Sequence, residues 1–142
     1  MLTLAIIKPD AVAAGHTGRI LAHLEEAGFA LRAARLVRLT TAQAEAFYAV
    51  HRDRPFFRSL VTFMTSGPAL VLALQRDGAV AGLREAIGAT DPAEAKAGTI
   101  RKLYAESKER NVIHASDSEE NAAREVGFFF PEAELAELFR TS

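Results

Sequence analysis

His114 stands among residue types that could together transfer a phosphoryl group. Ser116 follows it closely, Glu125 follows at a spacing that suits the next helix, and three cations precede it on other segments: Lys8, Arg84 and Arg101. An imidazole that is uncharged near neutral pH can attack phosphorus directly, and a nearby carboxylate or hydroxyl can fix its tautomer and orientation. Lysine and arginine side chains offset the charge on the oxygens of the transferred group.

The residue types alone also leave ordinary structural interpretations open. A histidine at the end of a strand commonly packs or faces solvent, and a lysine such as Lys8 commonly marks where an apolar strand meets water. Thr90 and Asp91 suit a turn, and isolated arginines suit a surface. Three further residues have the spacing of helical core positions: Tyr48, Phe56 and Leu60.

Several common kinds of site are disfavoured by spacing. None of the four histidines pairs with another at i, i+4 around a carboxylate, as a zinc-binding helix requires. The chain has neither a G-x-x-x-x-G-K-[ST] loop nor a G-x-G-x-x-G turn after a strand. Zinc hydrolysis and the P-loop and Rossmann modes of nucleotide binding are therefore disfavoured.

Length and charge favour a single globular domain over residues 1–142. The 17 basic and 18 acidic residues give a net charge of −1, which argues against nucleic acid as a partner. There is no cysteine, no basic leader and no apolar run approaching the length that crosses a bilayer. We expect a cytoplasmic protein with no membrane partner.

Apolar periodicity predicts four strands, at residues 2–7, 29–39, 69–74 and 111–114. The second strand loses its alternation near Ala34 and Arg35, which indicates a bulge or an edge strand. Helices are predicted over residues 17–27, from the Thr40 cap to about Arg52, and over residues 56–64. A further helix is predicted before Gly88, and another after the caps at residues 116–118. Glu119 and Glu120 are the predicted capping partners of that helix. A last helix is predicted from Pro131, with three inward residues: Leu135, Leu138 and Phe139.

This order of elements predicts an α/β sandwich close to the ferredoxin-like βαββαβ arrangement, with a four-stranded antiparallel sheet covered by helices. The segment 89–98 between elements is predicted to be a functional loop. In this arrangement the fourth strand delivers His114 to the start of a helix.

Six separated motifs, in this order, closely resemble the nucleoside diphosphate kinase family over nearly the whole chain. They are Ile6 to Asp10; Phe47 and Tyr48 through Arg54 to Phe57; Thr65 to Pro68; Gly88 to Pro92; Gly98 to Arg101; and Asn111 to Ser118. The resemblance implies the ferredoxin-like fold and a ping-pong enzyme that moves the γ-phosphoryl group of ATP to nucleoside diphosphates.

The resemblance also implies a role for each matching residue. His114 would be phosphorylated on Nδ1, with Glu125 and Ser116 holding its ring, and Lys8, Tyr48 and Arg101 would surround the transferred group. Arg84 and Thr90 match positions that hold the distal phosphates, while Lys8 and Asn111 match positions that reach the sugar hydroxyls. Phe56 matches the ring on which the base stacks, and Leu60 a neighbouring apolar contact.

The implied partners are ATP, nucleoside diphosphates and further copies of the chain, as a tetramer or hexamer. Mg²⁺ would arrive on the nucleotide phosphates, because the motifs supply no permanent cluster of carboxylates. Base stacking implies broad substrate use, since every base has a π-face.

The chain departs from the family pattern at Ala115, where glycine usually follows the histidine. A glycine there would tolerate a backbone angle that alanine resists, although an ordinary φ would make the change harmless. Because of this departure, a nucleotide-binding module without turnover stays open as an alternative. A second alternative, independent of Ala115, is a phosphohistidine carrier that passes its group to a protein.

Overall fold

A computed structural model describes residues 2–138 and contains a four-stranded sheet. The strands are β1 (Leu2–Ile7), β2 (Ala30–Val37), β3 (Ala69–Gln75) and β4 (Ile113–Ala115). Their order across the sheet is β2-β3-β1-β4, and each neighbouring pair is antiparallel. This is the predicted ferredoxin-like arrangement, so the fold prediction is confirmed.

Eight helices connect or follow these strands within the described residues. They are α1 (Pro9–Ala13), α2 (Thr17–Glu26), α3 (Thr41–Phe47), α4 (Phe57–Met64), α5 (Ala79–Ile87), α6 (Ile100–Tyr104), α7 (Glu119–Phe129) and α8 (Glu132–Leu138). None of the helices in residues 2–138 combines the length and apolar character needed to span a membrane.

The central strand β1 is covered on both faces, because its alternate side chains enter two different apolar layers. Leu4 and Ile6 pack with residues of α3, α4 and α7, and we call this side of the sheet the α7 face. Ala5 and Ile7 pack with residues of α1, α2, α5 and α6 on the other side. The largely apolar sequence of β1, in which Thr3 is the one polar residue, fits this burial on both sides.

Strand β2 and the segment after α3 differ from the prediction. Strand β2 is an edge strand of the sheet, which was one of the two predicted alternatives. Its bulge lies between Leu31 and Ala33, not near Ala34 and Arg35, and it leaves Leu31 exposed while Ala33 is buried. The predicted helix from Thr40 to Arg52 was too long, because α3 ends at Phe47 and a short 3₁₀ turn follows. The predicted capping box at Thr40 is present.

Several shorter features were missed or misplaced. Neither α1 nor α6 was predicted, and β4 begins two residues later than expected. Ser118 caps α7 through the Asn121 N–H, so the predicted capping roles of Glu119 and Glu120 were wrong. Helix α8 begins after Pro131, and Leu135 packs on the α7 face; the expected inward positions of Leu138 and Phe139 lie outside the described side chains.

Candidate active site

One cavity of about 590 Å³ collects almost all of the predicted site residues. Strand β4 places His114 there because His114 pairs with Ile6 of β1, whose side chain lies on the α7 face. The other predicted residues that line the cavity are Lys8, Tyr48, Phe56, Leu60, Arg84, Thr90, Arg101, Asn111 and Glu125. Ser116 does not line the cavity and is fully buried next to it.

The His114 ring is fixed by a carboxylate on α7. His114 Nε2 lies 2.7 Å from Glu125 Oε1, and Ser116 Oγ donates to the same oxygen at 2.8 Å. A hydrogen bond to a carboxylate requires the proton on Nε2, which leaves Nδ1 as the ring nitrogen with a free lone pair. Ser116 therefore acts on the ring through Glu125 and not by direct contact.

The surroundings of His114 favour the neutral imidazole. Burial lowers the pKa of His114 below its ordinary 6.5, and the nearby Glu125 opposes that shift without cancelling it. The cations Lys8 and Arg101 lower the pKa further. An uncharged ring at neutral pH keeps the lone pair that a nucleophile needs.

Tyr48 lies at the end of α3 beside the histidine. Its ring meets the His114 ring edge to face, with 5.9 Å between the centroids. The hydroxyl is buried and has no hydrogen-bond partner among residues 2–138. Burial, with the Glu125 charge adding to it, raises the pKa of Tyr48, so the group stays a protonated donor.

Lys8 follows β1 and is almost fully buried. Its Nζ donates to Asn111 Oδ1 at 2.8 Å, and the Asn111 amide group donates to the backbone oxygen of Lys108 at 2.9 Å. Burial, with Arg101 adding to it, lowers the pKa of Lys8 to about 8. A partly desolvated ammonium group gains a favourable interaction when an anionic ligand binds beside it. Lys8 is therefore suited to binding phosphates or sugar hydroxyls.

Arg101, on α6, is tied to three backbone carbonyls at the cavity wall. Its guanidinium donates to Ile113 O at 2.7 Å, to Gly88 O at 3.0 Å and to Asn111 O at 3.4 Å. Burial, together with the nearby Arg84, lowers the pKa of Arg101. Because neutral carbonyls leave its charge uncompensated, Arg101 is suited to binding an anion.

Gly88 cannot be replaced at this wall without disturbance. Its φ of +89° is unfavourable for residues with a side chain, and a Cβ there would lie 2.5 Å from Thr99 Oγ1. The Gly88 carbonyl accepts a hydrogen bond from Arg101, and this bond links the loop after α5 to α6.

Val112 carries backbone strain directly before β4. It is the one non-glycine residue with a positive φ among those described, at +66°, and a β-branched residue is costly there. Its N–H donates to Asp10 Oδ2 at 3.2 Å, and its carbonyl accepts from the Lys8 N–H at 2.8 Å. The turn at Val112 aims the carbonyls of its neighbours Asn111 and Ile113 at Arg101.

An apolar wall forms the outer part of the cavity. Phe56, at the start of α4, is 48% exposed, which is unusual for a large aromatic ring. His51 lies 5.4 Å from it between ring centroids, and Leu60 lines the cavity one turn further along α4. An accessible ring at the mouth of a charged cavity suits stacking against a flat ligand.

Ala115 lies within β4, pairs with Ala5 and is buried on the side opposite α7. Its φ is not positive. The substitution of alanine for the family's usual glycine therefore introduces no backbone strain beside His114.

Sequence reasoning missed several residues that line the cavity. His51 and Asp117 lie inside the family motifs, but the local pattern indicates a helical face for His51 and a helix cap for Asp117. Phe47 and Val50 also lie within the motif from Phe47 to Phe57. The other four residues carry no recognisable signal, because tertiary packing sets the positions of their segments: Lys108, Glu109, Asn121 and Arg124.

The carboxylates of the cavity do not form a cation cage. Among residues 2–138, no group of three or more histidine, aspartate or glutamate side chains is close enough to hold a metal ion. A hard divalent cation bound here would therefore need ligands from another molecule, such as phosphate oxygens.

Comparison with known proteins agrees with this geometry. Residues 2–135 match the family model described as nucleoside diphosphate kinase. Nucleoside diphosphate kinases from Anaeromyxobacter sp. (strain Fw109-5) and Halorhodospira halophila are 54% and 55% identical to the chain over 133 residues. Both alignments cover 94% of this chain, and they cover 91% and 94% of those proteins.

Solved structures agree with the sequence relatives. The Aquifex aeolicus nucleoside diphosphate kinase has a TM-score of 0.92 at 43% identity, covering 94% of this chain and 96% of its own. A halophilic nucleoside diphosphate kinase from Halobacterium salinarum, solved in complex with CDP, has a TM-score of 0.90 at 34% identity, covering 99% of both chains. The chain therefore belongs to the nucleoside diphosphate kinase family of phosphotransferases.

Proposed function

We propose that His114 is the nucleophile that carries the phosphoryl group between nucleotides. The observation that carries this proposal is the hydrogen bond from His114 Nε2 to Glu125 Oε1, which leaves Nδ1 unprotonated at the cavity. In the first half-reaction the Nδ1 lone pair forms a bond to the γ-phosphorus of ATP, and the bond from that phosphorus to the bridging oxygen breaks. ADP leaves with the bridging oxygen and its electron pair.

In the second half-reaction the N–P bond breaks. A terminal oxygen of a nucleoside diphosphate attacks the phosphorus, the electron pair of the N–P bond returns to Nδ1, and a nucleoside triphosphate leaves. Glu125 offsets the positive charge that the ring acquires while it is phosphorylated, and Ser116 keeps that carboxylate in place.

The remaining cavity residues are proposed to bind the nucleotide. Lys8, Tyr48 and Arg101 donate to the oxygens of the transferred group, and Arg84 and Thr90 hold the other phosphates. Lys8 and Asn111, already hydrogen bonded to each other, meet the sugar hydroxyls. Phe56 stacks on the base, with Leu60 beside it.

The family generally uses a divalent metal, and we propose Mg²⁺ delivered as part of the nucleotide substrate. The chemistry of the donors supports this, because the cavity supplies cations and scattered carboxylates and not a cage. Mg²⁺ would bridge phosphate oxygens and neutralise part of their charge.

We also propose that the chain is a single domain that works in the cytoplasm as a homo-oligomer, a tetramer or hexamer. The absence of cysteine and the near-neutral charge support this setting. Closed symmetry is the usual form of such assemblies.

A label-and-chase experiment tests the proposed mechanism. Protein incubated with ATP labelled on the γ-phosphate should acquire an acid-labile, base-stable label that transfers to added GDP. His114→Ala should bind nucleotide but acquire no label, because the rest of the cavity is unchanged. Wild-type protein without label would refute the proposal, and label that never reaches GDP would instead indicate a phosphocarrier.

A further inference from the structure

The loop between α6 and β4, residues 105–112, brings two opposite charges to the cavity wall. Lys108 and Glu109 both line the cavity that also contains Phe56 and Leu60. Neither residue belongs to the phosphate-binding group or contacts His114. Glu109 also acts electrostatically on Lys8 and raises its pKa, and both loop residues share the cavity wall with Phe56 and Leu60.

Hydrogen bonds hold the tip of this loop in place. Ser59, on α4 between Phe56 and Leu60, donates its hydroxyl to Glu109 Oε1 at 2.5 Å. The Arg110 N–H donates to Ser107 Oγ at 3.1 Å, and the Asn111 side chain donates to Lys108 O at 2.9 Å. The Glu109 carboxylate is thus fixed against the helix that carries the stacking wall, and its second oxygen remains available as an acceptor.

We propose that Glu109, held by Ser59 and flanked by Lys108, binds the edge of a base stacked on Phe56 and makes the enzyme prefer guanine nucleotides. This inference rests on the proposed function, since it assumes that the base lies on Phe56. It adds a source of base specificity to a stacking wall that by itself distinguishes bases poorly.

The choice of guanine follows from the order of donors and acceptors along each base edge. A carboxylate only accepts hydrogen bonds and an ammonium only donates them. Guanine presents the O6 acceptor beside two adjacent donors, N1–H and the 2-amino group. These groups match Lys108 followed by the two oxygens of Glu109, since Oε1 keeps a second lone pair beside its bond to Ser59. Uracil offers one donor between two acceptors, so one carboxylate oxygen would face a carbonyl oxygen. Cytosine and adenine each lack the pair of adjacent donors.

The expected preference is modest because Ser59 and Glu109 are exposed at the rim of the cavity. Charge-assisted hydrogen bonds at a buried site discriminate strongly, whereas water competes with them at a rim. We therefore expect kcat/KM for GDP to exceed that for UDP by roughly tenfold, the effect of one to two such bonds after allowance for solvent.

The test compares acceptors and variants. For wild type, Glu109→Gln and Ser59→Ala, kcat/KM is measured with ATP as donor and with GDP, inosine diphosphate, UDP and dGDP as acceptors. Inosine diphosphate lacks the 2-amino group of guanine and is otherwise identical. Glu106→Gln is the matched control, because it removes a carboxylate from the same loop that pairs with Arg110 outside the cavity.

We expect wild type and Glu106→Gln to prefer GDP over both UDP and inosine diphosphate. Glu109→Gln should lose most of this preference, and Ser59→Ala should lose part of it. If the ratio of kcat/KM for GDP to kcat/KM for UDP is the same in Glu109→Gln as in wild type, the inference is overturned. The inference is also overturned if Glu109→Gln changes the ratio of kcat/KM for GDP to kcat/KM for dGDP but leaves the base preference unchanged, because the carboxylate would then contact the sugar.

Equilibrium binding separates this inference from the proposed function. Titration calorimetry with GDP, inosine diphosphate and UDP measures the base preference without any turnover. If binding shows the preference but no phosphoryl transfer occurs, the proposed function fails and the role of Glu109 stands. If transfer occurs but binding shows no loss of preference in Glu109→Gln, the role of Glu109 fails alone.

Discussion

Tyr48→Phe should lower activity and leave the protein as stable as before or more stable. The Tyr48 hydroxyl is buried and has no hydrogen-bond partner among the described residues. An unpaired buried polar group costs about 1–3 kcal/mol, so its removal should raise the free energy of unfolding by up to about 1 kcal/mol once imperfect packing is allowed for. In a protein of this size that corresponds to a Tm roughly 2–4 °C higher.

The loss of activity follows from the same unpaired hydroxyl. In the proposed mechanism it donates to an oxygen of the transferred group, and a hydrogen bond to a charged group contributes about 1.5–3 kcal/mol. Discounting for the donors that remain, Lys8 and Arg101, we expect kcat to fall about tenfold, or about 1.4 kcal/mol of activation free energy.

Two measurements on the same preparation check this prediction. A coupled assay of ADP formation gives kcat and KM, and a thermal melt followed by circular dichroism gives Tm. Tyr104→Phe is the matched control, since Tyr104 is the other tyrosine of the chain, contacts His16 and does not line the cavity. Unchanged kcat in Tyr48→Phe, or a Tm lowered by several degrees, would refute the reasoning.

Four further predictions follow from the same contacts. Glu125→Gln should lower kcat by about 10- to 100-fold, because the charge-assisted hydrogen bond between His114 and Glu125 is lost. The same substitution should lower the pKa of His114 further, which a titration by NMR can follow. The pH profile of kcat/KM should fall on the acid side as His114 gains a proton, at a pH below the 6.5 of an ordinary histidine because its pKa is lowered. The profile should also fall above about pH 8 as Lys8 loses a proton, and activity that stays constant up to pH 9 would contradict the role of Lys8. Gly88→Ala should destabilise the protein by about 2–4 kcal/mol in denaturant titrations, because the new Cβ would collide with Thr99 at a positive φ. Chelation of divalent metal should abolish transfer without changing Tm, whereas a lower Tm would indicate a permanent metal site.

The parts of the fold that the sequence predicts correctly are those set by local patterns. The run Leu2–Ile7 is apolar at every position except Thr3, as suits a strand buried on both faces, and that signal does not depend on any distant contact. Helix α2 has an amphipathic pattern and ends just before Gly28, whose φ is +92°. Such elements can be located without knowledge of their neighbours.

The missed elements depend on contacts or on signals too short to stand out. Helix α6 has only five residues, although Thr99 caps it through the Lys102 N–H and this pattern could have been recognised. The bulge in β2 is set by its pairing with β3, and no residue type at Leu31 or Arg32 announces it. Helix α3 stops at Phe47 although an apolar helical pattern continues beyond it.

The candidate site likewise contains residues that local motifs locate and residues whose roles depend on distant contacts. The motifs locate His114, Lys8 and Asn111, but they do not reveal that Ser116 reaches the histidine through Glu125. They also do not reveal Glu109, whose position depends on a hydrogen bond to Ser59, fifty residues earlier. Pairings over such distances are fixed by the packing of α4 against the loop and not by local propensity.

The strained turn at Val112 explains why the cations and the nucleophile occur together. Strain of this kind persists only where the surrounding structure over-determines it, and here Asp10 and the Lys8 backbone hold both polar groups of Val112. The turn points two neighbouring carbonyls at Arg101 and starts the strand that carries His114. One irregular residue thus couples the position of Lys8 to those of Arg101 and His114. Relaxation of Val112 to an ordinary φ would therefore move all three relative to one another.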